Sequence, residues 1–298
     1  HAFCGRLLRE RPIEAGVDPE FREMDETEDR EFRDRCWDEY LETLRMRGDV
    51  QAMEDLAALQ VHVEDLWTVY CRVSEYEDVE IYTDESAERP DFDRIRESLF
   101  PLVEEAYAFI PTVQPEKGWD ALQEIVRTAV RHLRTKEMAD DMNVLTLAKL
   151  FDRSLHVTFN RWTDPKEAKR IKERFLDWQT MVLQPFLREW REFVHPKVIA
   201  FVRPAAAYCR RKRMEAGKLN FQDLLMRAAE LLRTSPEVRA YFSRRYRRLF
   251  VDEFQDTDPI QAEMMLLLTG ADETESDWRK QLPRPGSLFV VGDPKQSI

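Results

Sequence analysis

The sequence predicts an α/β protein that is predominantly helical, with part of a parallel sheet and a large all-α insertion. Three observations carry that expectation. Apolar residues recur at three- and four-residue spacing from about residue 25 to 216, the period of an amphipathic helix. Two short apolar runs, Leu249-Phe250-Val251 and Leu288-Phe289-Val290-Val291, flank a helical stretch, and buried strands alternating with helices imply a parallel sheet. Only 8 glycines, with 35% charged residues, favour long helices over a sandwich or barrel.

The elements divide the chain into an N-terminal piece (1–24), a helical insertion (25–216) and a strand-bearing piece (217–298). Within the insertion, Phe32, Cys36, Tyr40, Leu41 and Leu44 make one apolar stripe, and further helical segments run from Met53 to Leu59, Val61 to Val73, Ile95 to Ile110 and Leu122 to Leu133. The longest stretch, about 165–218, carries Phe175, Trp178, Phe186 and Trp190, aromatic positions whose helical spacing marks core. Pro185, Pro196 and Pro204 are expected to kink or divide it, since each removes a helix hydrogen bond.

After Gly217 the pattern changes. Asn220 is placed to cap a helix with the apolar stripe Phe221, Leu224, Leu225, Ala228, Leu231 and Leu232. Ser235-Pro236 starts the next helix and Asp258-Pro259 a third, proline standing where its missing N–H is harmless. Residues 270–286 read as a long polar loop.

Composition narrows the function classes. Net charge is −12, which argues against a surface given over wholly to nucleic acid. The charge is uneven, with acid concentrated in 18–31 and 75–91 and base in Arg131–Lys136, Arg210–Arg213 and Arg244–Arg248. Each basic run reads either as a solvated helix face or as a contact for phosphates. Cys4, Cys36, Cys71 and Cys209 are widely spaced and form no zinc or redox motif. They are expected to be reduced thiols of a cytoplasmic protein. No apolar run approaches the ~20 residues of a membrane span. The chain opens on His1 and closes on Lys295-Gln296-Ser297-Ile298 directly after a strand-like run, so it is expected to be cut from a longer one at both ends.

Both apolar runs end in carboxylates, Asp252-Glu253 and Asp293. In an open parallel sheet, ligands gather at the carboxyl ends of strands. Phosphoryl transfer from ATP needs one carboxylate to hold hydrated Mg²⁺ and another group to position the attacking water. Adjacent residues leaving a strand point in different directions, so Asp252 and Glu253 can serve the two roles separately. An Asp-Glu pair alone is usually a surface or cap pair; its surroundings decide.

Those surroundings resemble a known family. Leu249-Phe250-Val251-Asp252-Glu253-Phe254-Gln255-Asp256-Thr257 resembles the Walker B motif of UvrD/Rep superfamily 1 DNA helicases. Val290-Val291-Gly292-Asp293-Pro294-Lys295-Gln296-Ser297-Ile298 resembles the motif that follows it, in the form of the RecB and AddA branch. Leu219-Asn220-Phe221-Gln222-Asp223-Leu224-Leu225 is similar to the segment before Walker B, and His1-Ala2-Phe3-Cys4 to an element lining the DNA path. The matches cover about residues 1–10 and 219–298, in family order.

The resemblance implies a partial RecA-like P-loop NTPase sheet with ATP and Mg²⁺ as cofactors. Asp252 would bind Mg²⁺, Glu253 would orient or activate the hydrolytic water, and Gln296 would sense the γ-phosphate. Gln255, Asp256 and Asp293 would join that coupling around the nucleotide. His1 and Phe3 would contact single-stranded DNA, and Arg210, Arg211, Lys212 and Arg213 would contact duplex DNA. Subunits of a recombinational repair complex are further expected partners; a membrane is not. The sequence contains no Gly-x-x-x-x-Gly-Lys-Thr/Ser loop, the element that cradles phosphates, so the chain alone is expected to be inactive. Two other classes stay open: an ATP-independent helical module binding DNA or protein, and a metal nuclease using Asp252, Glu253, Asp256 and Asp293.

Overall fold

Helices account for most of the chain, and among the described residues the strands pair in two short parallel ladders. The computed structural model describes residues 2–76, 79–293 and 295–296. Contacts divide them into two compact units, one made of 1–50, 67–80 and 202–298, the other of 51–66 and 81–201. Residues 25–50, 67–80 and 202–216, expected with the helical insertion, therefore pack with the strand-bearing piece.

The first unit is built on helix Phe221–Thr234. Asn220 caps it as expected: its side chain accepts from Asp223 N, and the Asp223 carboxylate accepts from Asn220 N, a reciprocal capping box. The buried stripe Leu224, Leu225, Ala228, Leu231 and Leu232 packs against helix Ala2–Glu10 through Leu7 and Leu8 and against helix Pro259–Thr269 through Met264, Leu267 and Leu268. Ser235 caps helix Pro236–Arg245, while Asp258 stands at the N-cap of Pro259–Thr269 without a capping bond from its side chain. The strands are β1 (Arg22–Glu23), β2 (Lys218–Leu219), β3 (Leu249–Val251) and β4 (Leu288–Val290). β1 pairs with β2, and β3 with β4 in the register Leu249–Leu288, Phe250–Phe289, Val251–Val290.

The second unit is all helical. Helices Asp93–Ala108, Ala121–Thr135, Asp141–Lys149 and Pro165–Trp178 close over Leu99, Val126, Leu145, Phe151, Phe175 and Phe186. The expected division by proline takes another form. Helix Gln184–Glu215 runs unbroken through Pro196 and Pro204, and the irregularity falls ahead of Pro185, where Gln179–Leu183 is a π-helical turn. A proline ring displaces the carbonyl four residues back. Here that carbonyl, Met181 O, accepts from Arg94 Nη2 at 2.9 Å, so a side chain replaces the lost backbone donor.

The loop 270–286 is present and tightly closed. Arg284 donates to the carbonyls of Gly270 at 2.6 Å and Leu268 at 3.1 Å, and Gln281 Nε2 donates to those of Asp272 and Glu275. This closure returns the chain to β4 beside β3.

Candidate functional site

The two parallel strands set out the site. Val291 N donates to Val251 O at 2.8 Å and Phe254 N to Val291 O at 3.0 Å, carrying the ladder one step beyond the paired strands. The chain then turns sharply at Glu253, whose φ of 52° and ψ of 46° are left-handed. A non-glycine residue held there is strained by about 1–2 kcal/mol, and such strain gathers where function fixes the backbone. The turn leaves Asp252 and Glu253 exposed at the carboxyl end of β3, and Phe254–Asp256 forms a single 3-10 turn.

Gln255 ties the two strand ends together. Its amide nitrogen donates to Glu253 Oε2, and its amide oxygen accepts from Asp293 N at 2.9 Å. The Asp293 carboxylate accepts from Gln296 Nε2 at 3.1 Å and from Lys295 N at 2.9 Å. A continuous hydrogen-bonded path thus runs Glu253, Gln255, Asp293, Gln296. Its closeness explains Gly292: a Cβ there would sit 2.7 Å from Gln255 Oε1, so that the Gln255 side chain would have to shift, and a tight 3.1 Å from Phe254 N.

Asp252 Oδ1 accepts from Glu253 N at 3.0 Å, leaving its second oxygen without a hydrogen-bond partner among the described residues. This donor set suits a hydrated Mg²⁺, which takes one or two carboxylates and keeps several waters. Among the described residues no three or more His, Cys, Asp or Glu gather to hold a metal ion. Beneath Asp252 lies an apolar hollow of about 380 Å³ lined by Phe3, Cys4, Leu225, Leu249 and Met264.

The residues expected at the nucleotide, Asp252, Glu253, Gln255, Asp293 and Gln296, therefore come together. Those expected on DNA do not behave alike. His1 lies outside the described residues. Phe3 is partly buried against the core, edge-on to Tyr246 with ring centroids 5.2 Å apart, so most of its ring serves packing. Arg213 is a correction: it is 0% exposed, and its guanidinium donates to Asp223 at 2.7 and 3.1 Å and to Cys209 Sγ at 3.4 Å. Its burial removes it from any phosphate. Arg211 pairs with Glu215, and Lys212 lies 3.6 Å from Glu39 and over the Tyr208 ring. Arg210 is exposed, with interactions of its own.

A family model described as the UvrD/REP helicase N-terminal domain matches residues 1–298. The chain belongs to the UvrD/REP helicase family. Among curated relatives, an ATP-dependent helicase/nuclease subunit from Listeria welshimeri is 23% identical over the whole of this chain and 27% of its own length. The protein of the same description from Exiguobacterium sibiricum is 24% identical over the whole chain and 27% of its length. ATP-dependent DNA helicase UvrD1 of Mycobacterium tuberculosis is 40% identical over 91 residues, 30% of this chain and 11% of the relative. Within the UvrD/REP family the chain is therefore of the RecB/AddA-like kind. It spans about a quarter of the length of the helicase/nuclease proteins that it matches throughout.

Proposed function

We propose that this chain supplies the metal, water and γ-phosphate-sensing half of an ATPase site that drives movement along single-stranded DNA, on a partial RecA-like sheet, in a cytoplasmic repair and recombination enzyme. The observation that carries this reading is the path Glu253–Gln255–Asp293–Gln296 across the ends of two parallel strands. Asp252, exposed with one oxygen unused, would hold Mg²⁺, which when bound neutralises charge on the β- and γ-phosphates. Glu253 would accept the proton of the attacking water. Gln255 fixes the Glu253 carboxylate through one amide end and the Gly292-Asp293 backbone through the other, so a shift of Gln296 toward a phosphate is felt at Glu253 through three hydrogen bonds.

The sequence lacks a phosphate-cradling loop, so residues 1–298 alone should hydrolyse ATP slowly or not at all. The test is single-stranded-DNA-stimulated ATP hydrolysis by an enzyme that joins this chain to such a loop and a second motor domain. Glu253→Gln should lower kcat at least ~10²-fold, the usual contribution of a positioned base, while nucleotide binding persists. Undiminished turnover in that variant would remove Glu253 from the role.

A further inference from the structure

The helical unit of 51–66 and 81–201 carries a second, polar hollow of about 250 Å³, lined by Tyr107, Arg127, Val130, Arg131, Arg134 and Thr135. Arg127, Arg131 and Arg134 fall at i, i+4 and i+7 on helix Ala121–Thr135, so the helix turns all three to one side. Two are held by aromatic rings: the Arg127 guanidinium lies 4.1 Å from the centre of Trp119 and that of Arg134 5.5 Å from the centre of Tyr107. None of the three has an ion-pair partner among the described residues.

Acidic residues outnumber basic ones in the sequence, 58 to 46, so the net charge of the chain does not account for a basic cluster here. Elsewhere in the same unit Arg89, Arg96, Arg170 and Arg174 each reach a carboxylate. Like charges one turn apart on a helix repel. The negative end of the helix dipole offsets this for Arg134 in the last turn but not for Arg127 two turns earlier. A cluster of planar, forked donors around a polar hollow matches a phosphate group.

We infer that Arg127, Arg131 and Arg134 form a phosphate-binding pocket that grips the backbone of DNA, independently of ATP. The choice of DNA rests on the function proposed above; the pocket itself does not. Thr135 does not compete for the phosphate, since its hydroxyl donates to its own helix at Arg131 O, 2.8 Å away. The Tyr107 hydroxyl makes no hydrogen bond among the described residues and stands at the rim as an added donor.

The test uses the 298-residue chain without nucleotide, titrated with a labelled duplex and a labelled single strand at several salt concentrations. A triple variant, Arg127→Gln, Arg131→Gln and Arg134→Gln, is compared with a control of equal charge change in the same unit, Lys117→Gln, Lys166→Gln and Lys169→Gln. The pocket variant should lose at least ~10-fold in DNA affinity at low salt and flatten the log–log salt dependence by about 2 to 3, about one for each lost phosphate contact. The control should lose under about 3-fold. Equal losses in both variants overturn the pocket, because net charge alone then explains binding. Displacement of DNA by polyglutamate as readily as by inorganic pyrophosphate overturns phosphate as the ligand. Pyrophosphate binding that Arg127→Gln abolishes, with no DNA binding by the chain, overturns the nucleic-acid assignment and leaves a free-phosphate site. Because no ATP is present, none of these outcomes bears on the role of Glu253.

Discussion

Two polar clusters in the strand-bearing unit are built from the same kinds of group and put to opposite uses. Around Arg213 every charge is sealed: Arg213 and Asp223 are 0% and 5% exposed, and Asp223 also closes the capping box with Asn220. The neighbouring Cys209 thiol is held down at about 7, first by a hydrogen bond with Cys36 and then by the Arg213 charge. Around Gln255 the groups are linked just as closely, yet Asp252, Glu253 and Gln296 are exposed and the backbone is strained. A buried pair with all its lone pairs satisfied holds a fold. An exposed chain of hydrogen bonds ending in unused carboxylate oxygens is left free to meet a ligand.

The largest expected effect breaks the first cluster. Arg213→Ala leaves the Asp223 carboxylate buried without its cation, and removing one partner of a buried pair costs about 3–5 kcal/mol. Urea denaturation followed by tryptophan fluorescence should show a lower midpoint for the strand-bearing unit. A loss below about 1 kcal/mol would mean that Asp223 is solvated and that the two clusters differ less than their burial says.

Gly292→Ala attacks the second cluster from its backbone. The added methyl meets Gln255 Oε1 at 2.7 Å, and such overpacking costs about 1–3 kcal/mol. Because Gln255 can swing away, part of that cost should appear as lost coupling rather than lost stability. In an enzyme with a complete ATPase site, the variant should hydrolyse ATP slowly while thermal denaturation shifts little. Full ATPase activity with a large drop in Tm would place Gln255 among the structural groups instead.

The sequence announced these clusters unequally, for physical reasons. β3 and β4 were legible because three apolar residues run straight into carboxylates, and Asn220 and Ser235 were legible because capping is a local event. β1 and β2 hold two residues each, too few to show a period, and pair only through tertiary contact. Helix Asp141–Lys149 passed unread, and so did the π turn before Pro185, whose cause lies in the distant Arg94. Arg213 departs from the expectation because the charge of its basic run says nothing of which face of the helix it stands on. The signal that would have found it is spacing: Val202, Ala205, Ala206 and Cys209 are buried at three- and four-residue intervals, and Arg213 continues that stripe. Arg127, Arg131 and Arg134 follow the same rule in reverse, standing together on a helix whose buried face is Leu122, Ile125, Val126 and Ala129.

Glu253→Gly separates strain from chemistry at a smaller scale. Glycine accepts the left-handed backbone that costs a side chain about 1–2 kcal/mol, although its unfolded chain has more freedom to lose. The net change in stability should be within about 1 kcal/mol of zero, measured by denaturant titration, while ATP hydrolysis in the complete enzyme is abolished. A strongly destabilised variant would show that the Glu253 carboxylate supports the fold through Gln255 and is not held in readiness for water.

The smallest effect is expected at the exposed end of the basic run that Arg213 closes. Lys212 and Glu39 are 40% and 53% exposed at 3.6 Å, and pairs of this kind contribute about 0–1 kcal/mol because water and salt screen them. Lys212→Gln should therefore leave the denaturation midpoint almost unchanged, in contrast to Arg213→Ala one position further along the same helix. If Lys212→Gln lowered DNA affinity as much as any one of the Arg127, Arg131 and Arg134 substitutions, this helix end would also be a contact, and burial alone would have excluded only Arg213 from it.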